Sequence, residues 1–158
     1  MDQPPISLIL EKLGVPHKVF HHERPVTSFE QAAHDRDQRL GQIVRSILFR
    51  VKEGEYAMVL MAGQAQISWK MLRKILGRSR ISMATEEEVL EVTGYQTGTV
   101  GPFGLLKPAR VLVDEGLLNE EEISIGSGMR DKAIILRSAD LVKALGNVEL
   151  VDLLERDT

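Results

Sequence analysis

The chain has 158 residues, 43% apolar and 27% charged, and no cysteine. That length supports the core of one domain spanning residues 1–158, and the missing thiols exclude disulfides, thiolate metal sites and a cysteine nucleophile. A net charge of −3 excludes bulk basicity as a nucleic-acid signal, and the longest apolar run, near residues 56–62, falls far short of the roughly 18 residues of a membrane span.

Ile6, Ile9, Leu10 and Leu13 recur at helical spacing after Pro4-Pro5 and before Gly14, which predicts an amphipathic first helix. The opening MDQPPIS has no basic region followed by an apolar one, so the expected compartment is the cytoplasm. HKVFHH (17–22) reads as a short strand. Thr27 and Glu30 have capping-box spacing and open a second short helix through Ala33. IVRSILFRV (43–51) and EYAMVLMA (55–62) flank a short turn with Gly54, which predicts a hairpin. Ser68 caps a helix that Gly77 closes. Thr85 and Glu88 cap another that stops near Gly94. ARVLVD (109–114), ISI (123–125) and AIILR (133–137) read as strands. Ser138 then caps a helix to about Leu145, and VELV (148–151) ends the fold. Hairpins mixed with single helices imply an α+β fold, a mixed sheet with helices around it. A doubly wound nucleotide fold lacks support, because neither G-x-G-x-x-G after the first strand nor G-x-x-x-x-G-K-[ST] occurs.

Four features could carry chemistry. Arg45 shares a strand face with Ile43, Ile47, Phe49 and Val51, and a charge on an apolar face must find a partner. That partner is either a structural one or a ligand in a pocket. TGYQTGTVGPFG (93–104) spaces Gly98, Gly101 and Gly104 three apart around Pro102-Phe103. Such a loop is either a plain connection or a set of backbone N–H donors for an oxyanion. IGSGM (125–129) fails the nucleophile-elbow spacing, so Ser127 is a turn serine or a donor to a ligand hydroxyl. Lys70, Lys74 and Arg78 form a stripe with Arg73 beside it, either a solvated face or a phosphate-contacting surface. The histidines show no metal-ligand spacing, since adjacent strand residues His21 and His22 face opposite sides.

Taken together, QIVRSILFR (42–50), VLMAGQAQISWKMLRKILG (59–77), MATEEEVLEVTGYQTGTVGPFG (83–104), ARVLVDEGL (109–117) and ISIGSG (123–128) resemble the YbaK/prolyl-tRNA synthetase-associated editing domain family over nearly the full chain. The resemblance implies a compact α+β fold with a mixed, partly closed β-sheet surrounded by helices. It implies a trans-editing deacylase that hydrolyses the ester of mischarged tRNA without metal or cofactor. Its partners would be mischarged tRNA and an aminoacyl-tRNA synthetase, with no membrane. The family's early-strand lysine corresponds to Arg45, and its loop glycine to Gly98, with Gly101 in the same turn; these are the implied catalytic residues. Ser46, Pro102, Phe103, Gly104, Ser127 and Gly128 are the candidate substrate-binding residues around these positions, and the basic stripe of Lys70, Arg73, Lys74 and Arg78, read from the residues themselves, is the candidate tRNA-binding surface. Arg in place of Lys keeps a cation but changes pocket shape. Gly126-Ser127-Gly128 offers no titratable base, which leaves a backbone carbonyl or a hydroxyl of the terminal ribose to orient the water. The competing functions are a non-catalytic module for tRNA ends or nucleotides, and a small-ester hydrolase indifferent to tRNA.

Overall fold

The computed structural model describes residues 3–156. Pro5 at the first helical position starts α1 (Pro5–Lys12), and its apolar stripe buries Ile6 and Leu10 completely. β1 (Lys18–His21) follows. α2 (Phe29–Asp35) is capped by Ser28, one residue later than the Thr27–Glu30 pattern suggests. The Ser28 hydroxyl accepts the Gln31 N–H, and the Gln31 side chain reaches back to the Thr27 N–H at 2.8 Å, so Gln31 rather than Glu30 completes the reciprocal pair.

β2 (Val44–Lys52) and β3 (Glu55–Ala62) form the expected antiparallel hairpin. α3 (Trp69–Leu76) runs from Ser68 to Gly77, which takes φ 68° as the left-handed cap. A two-residue strand, β4 (Ser82–Met83), precedes α4 (Glu86–Thr93), whose Thr85–Glu88 capping box forms as expected. β5 (Arg110–Asp114), β6 (Glu122–Gly126), β7 (Lys132–Arg137), α5 (Ser138–Leu145) and β8 (Glu149–Val151) complete the chain. Ser138 is the first helical residue of α5 rather than its cap. Its hydroxyl donates to the Glu120 carbonyl at 2.6 Å and ties α5 to the preceding loop.

Two sheets result. One has the order β1-β7-β6 and is antiparallel. The other has the order β4-β2-β3-β5-β8, antiparallel around β2 and parallel from β3 through β5 to β8. A single parallel bridge, Ile43 to Ser124, joins the start of β2 to β6, so the sheet is mixed and partly closed. β3 lies centrally with both faces covered, which is why its residues form a continuous apolar run rather than an alternation. Val44, Leu48, Met58 and Leu60 face the core that includes Leu10, Ile125 and Ile134. Phe49, Val59 and Met61 face a second core with Leu72, Leu112 and Leu153.

The outer edge of β2 positions the functional site. β4 pairs with it only at Phe49 and Arg50, and β6 bridges it only at Ile43. Leu48 gives its carbonyl to Ala84 N–H at 3.0 Å, so residues of that parity direct their N–H and C=O toward this edge. Between the two contacts the edge has no partner strand among the described residues, and the Ser46 backbone faces the gap.

Candidate functional site

A cavity of about 630 Å³ opens at this gap. Phe29 and Ala32 of α2, Val89 of α4, Ile125 of β6 and Ala133 of β7 make its apolar walls. Residues 97–100 of the glycine loop close one side. Four cationic residues line it, Arg36, Arg45, Arg130 and Lys132, against one carboxylate, Glu86. A concave apolar space with a few polar groups and an excess of positive charge suits an anionic ligand that carries a small organic group.

Ser46 lies at the centre of the open edge. Its side chain projects with those of Val44 and Leu48, and its Oγ is buried with no hydrogen-bond partner. No protein group among the described residues pairs with this hydroxyl, and because an unpaired buried hydroxyl costs about 1–3 kcal/mol, a hydrogen-bonding ligand group at this wall would be favoured.

Arg45 lines the cavity, yet its guanidinium turns to the opposite face of the sheet and donates from Nη2 to the Ala65 carbonyl in the loop after β3. Burial lowers its pKa, and its Nε is buried without a partner. The charge on the apolar strand face is therefore met by a backbone carbonyl.

A second guanidinium, invisible in the sequence, occupies the other side. Arg36 follows α2 and donates from Nε to His22 Nε2 at 3.0 Å and from Nη1 to Ser124 Oγ at 2.9 Å. The Ser124 hydroxyl in turn donates to Gln38 Oε1 at 2.8 Å. Burial pulls the Arg36 pKa down to about 10, so it remains a cation at neutral pH. With Nε2 accepting from Arg36, neutral His22 carries its proton on Nδ1, 3.6 Å from Asp35 Oδ2. Burial, and then the Arg36 charge, lower the His22 pKa, although Asp35 opposes them. His21 faces the other way and pairs with Asp131 at 2.9 Å. Among the described residues no group of three or more His, Cys, Asp or Glu side chains is placed to hold a metal ion.

The glycine loop divides its labour. Gly98 lines the cavity at φ 93°, and a Cβ there would meet nothing within 4 Å. Gly101 does not line it. A Cβ on Gly101 would lie 2.5 Å from the Gly126 carbonyl oxygen, and one on Gly126 would lie 2.0 Å from the Val100 carbonyl oxygen. These two glycines let the loop backbone press against the end of β6. Pro102 and Phe103 are buried, with Phe103 in the core, and Gly104 sits against the Tyr95 hydroxyl, which donates to the Phe103 carbonyl at 2.7 Å. Gly128 packs on the Tyr95 ring. Ser127 is fully buried, and its hydroxyl is used within the turn, donating to the Lys132 carbonyl at 2.6 Å and accepting Met129 N–H at 3.1 Å. Of the sequence-expected site residues, the structure thus brings Arg45, Ser46 and Gly98 to the cavity. It places Gly101, Pro102, Phe103, Gly104, Ser127 and Gly128 behind it, in the packing that shapes the loop. Lys70 and Lys74 are exposed on α3, while Arg73 and Arg78 line a separate groove.

Comparison with known proteins agrees with this geometry. The aminoacyl-tRNA editing domain family matches residues 23–144. The Escherichia coli (strain K12) protein named multifunctional Ser/Thr-tRNA deacylase ProXp-y is 32% identical over 149 residues, covering 91% of this chain and 87% of that one. A proline–tRNA ligase of Thermosipho africanus is 30% identical over 122 residues, covering 77% of this chain but 20% of the ligase. A solved structure described as a candidate trans-editing enzyme for prolyl tRNA synthetase superposes with a TM-score of 0.84 at 28% identity, covering 93% of this chain and 92% of that one. The cavity at the open strand edge, the full-length relative and the shared fold converge: the chain belongs to the aminoacyl-tRNA editing domain family.

Proposed function

We propose that this protein is a trans-editing deacylase that removes hydroxylated amino acids, serine and threonine, from the tRNAs that wrongly carry them. The observation that carries the choice of amino acid is the unpartnered Ser46 hydroxyl in the cavity wall. A small side chain with its own hydroxyl would satisfy it, and an apolar isostere would leave it unpaired. The name of the Escherichia coli relative points to the same substrates.

An aminoacyl ester is already activated, so positioning and charge stabilisation are the main demands on the protein. In the proposed reaction a water oxygen attacks the ester carbonyl carbon, and the tetrahedral oxyanion forms beside the backbone donors of the open β2 edge and the Gly98 turn. The C–O bond to the terminal ribose then breaks, and the ribose oxygen takes up a proton. The Ser46 carbonyl or the neighbouring ribose hydroxyl orients the water. Arg36, Arg130 and Lys132 hold the anionic nucleotide end, and Arg45 positions the loop after β3 through the Ala65 carbonyl. This chemistry belongs where tRNA is charged, in the cytoplasm, with mischarged tRNA and a synthetase as partners.

The test is deacylation of a panel of tRNAs mischarged with serine, threonine, alanine and cysteine. Fast release of serine or threonine supports the proposal. Tight binding of the aminoacylated 3′ end with no release of any amino acid would instead make the protein a binding module.

A further inference from the structure

A second groove, of about 590 Å³, lies beyond the C-terminal end of the same strand. Arg50 and Lys52 of β2 form one bank. Arg73 near the end of α3, and Arg78 and Arg80 in the segment leading to β4, form the other. Glu53 is the carboxylate in its lining. Several surface arginines elsewhere are neutralised in pairs: Arg24 with Asp35, Arg39 with Glu120, Arg110 with Glu149 and Arg137 with Glu121. At the groove, Arg50 stands 4.0 Å from Glu88 and Lys52 3.3 Å from Glu55. Arg73, Arg78 and Arg80 have no carboxylate within ion-pair distance among the described residues. Residues 69–85 contain five cations and no acid on a protein whose net charge is −3.

Unpaired guanidiniums held together on an otherwise acidic protein repel one another, and that cost is recovered when a polyanion binds. Arginine presents a planar fork suited to phosphate oxygens. The groove and the cavity share one strand. Ser46 and Lys52 are six residues apart, about 20 Å along an extended chain. A nucleic acid strand whose terminal adenosine enters the cavity would reach the groove a few nucleotides upstream.

We propose that this groove is the docking site for the tRNA acceptor strand, with Arg73, Arg78 and Arg80 contacting its backbone phosphates upstream of the aminoacylated end. This rests on the deacylase reading for what occupies the cavity, but the groove's own contribution is separable. The site is electrostatic, so it recognises backbone and not base sequence.

The experiment compares the wild type with the double variant Arg78→Glu, Arg80→Glu on two substrates, full-length mischarged tRNA and an aminoacylated CCA trinucleotide too short to reach the groove. Both side chains are exposed, so the variant should keep the wild-type melting temperature. On full-length tRNA it should lose about tenfold or more in kcat/KM, through KM, and the slope of log kcat/KM against log salt should fall by about two. On the trinucleotide it should stay within about twofold of wild type. Lys143→Glu on α5 is the control of equal charge type and should change neither by more than about twofold. Equal loss on both substrates, or no loss on tRNA, would overturn the docking site. Affinity for uncharged tRNA, measured by fluorescence anisotropy, decides the groove independently of turnover: a variant that binds as tightly as wild type overturns it. Failure of the wild type to cleave either substrate would count against the deacylase reading alone.

Discussion

Ser46 and Arg36 define the cavity by opposite means, one left without a partner and the other fully engaged on two sides. Ser46→Ala removes an unsatisfied buried hydroxyl, so the melting temperature should hold or rise slightly, while kcat/KM on seryl- and threonyl-tRNA should fall about tenfold or more. A drop in stability with unchanged activity would make Ser46 a structural residue. His22 carries a pH signature. Its unfolded form takes up a proton near pH 6.5, whereas burial and Arg36 hold the folded form neutral to lower pH. Between those values the unfolded chain binds more protons, so the contribution of His22 to stability is complete above about pH 6.5 and is lost as pH falls toward the folded pKa. His22→Gln should therefore flatten the fall in melting temperature on acidification, and an unchanged slope would refute the assignment. Arg36 has no local signature in AAHDRDQR, because its partners lie 14 residues back and 88 residues ahead. Arg45 stood out as a charge in an apolar strand, but the direction of its guanidinium depended on where the loop after β3 would place the Ala65 carbonyl.

At the scale of elements, the glycine loop and β2 carry the design. A Cβ at Gly101 would collide with the Gly126 carbonyl and the Ile6 side chain, so Gly101→Ala should lower stability by about 1–3 kcal/mol, read by chemical denaturation. Gly98→Ala meets no neighbour and should cost only about 1–2 kcal/mol of left-handed backbone strain. A larger loss for Gly98→Ala than for Gly101→Ala would reverse this division of roles. Helices capped by local chemistry were legible: Ser68 with Gly77, and Thr85 with Glu88 and Gly94, sit where their residue types put them. Caps decided by tertiary contacts were not. Ser138 gives its hydroxyl to Glu120 instead of its own helix, and Ser28 displaces Thr27 because Gln31 can reach back. β4 is too short for any periodicity, yet its pairing at Phe49 and Arg50 sets one limit of the open edge.

Across the whole molecule, the hairpin of β2 and β3 contributes side chains to both cores and runs from the cavity to the basic groove. The α+β architecture followed from element order, but the partial closure through Ile43 and Ser124 is a contact between residues 81 apart, which no local pattern encodes. The glycine motifs marked the right region of the chain for a different reason in most cases: Gly101 and Gly128 permit close packing, Gly126 both packs against the loop and lines the cavity, and Gly98 lines the cavity at a positive φ. The central claim is that this cavity cuts an aminoacyl ester and recognises a hydroxyl in the amino acid. The most direct measurement is single-turnover hydrolysis of threonyl and valyl esters on the same tRNA body, since the two side chains differ by a hydroxyl against a methyl group. Threonine should be released at least about a hundredfold faster, as expected when a buried polar group is left unpaired by the isostere. Equal rates for the two esters would contradict hydroxyl recognition, and release of neither would contradict the deacylase itself.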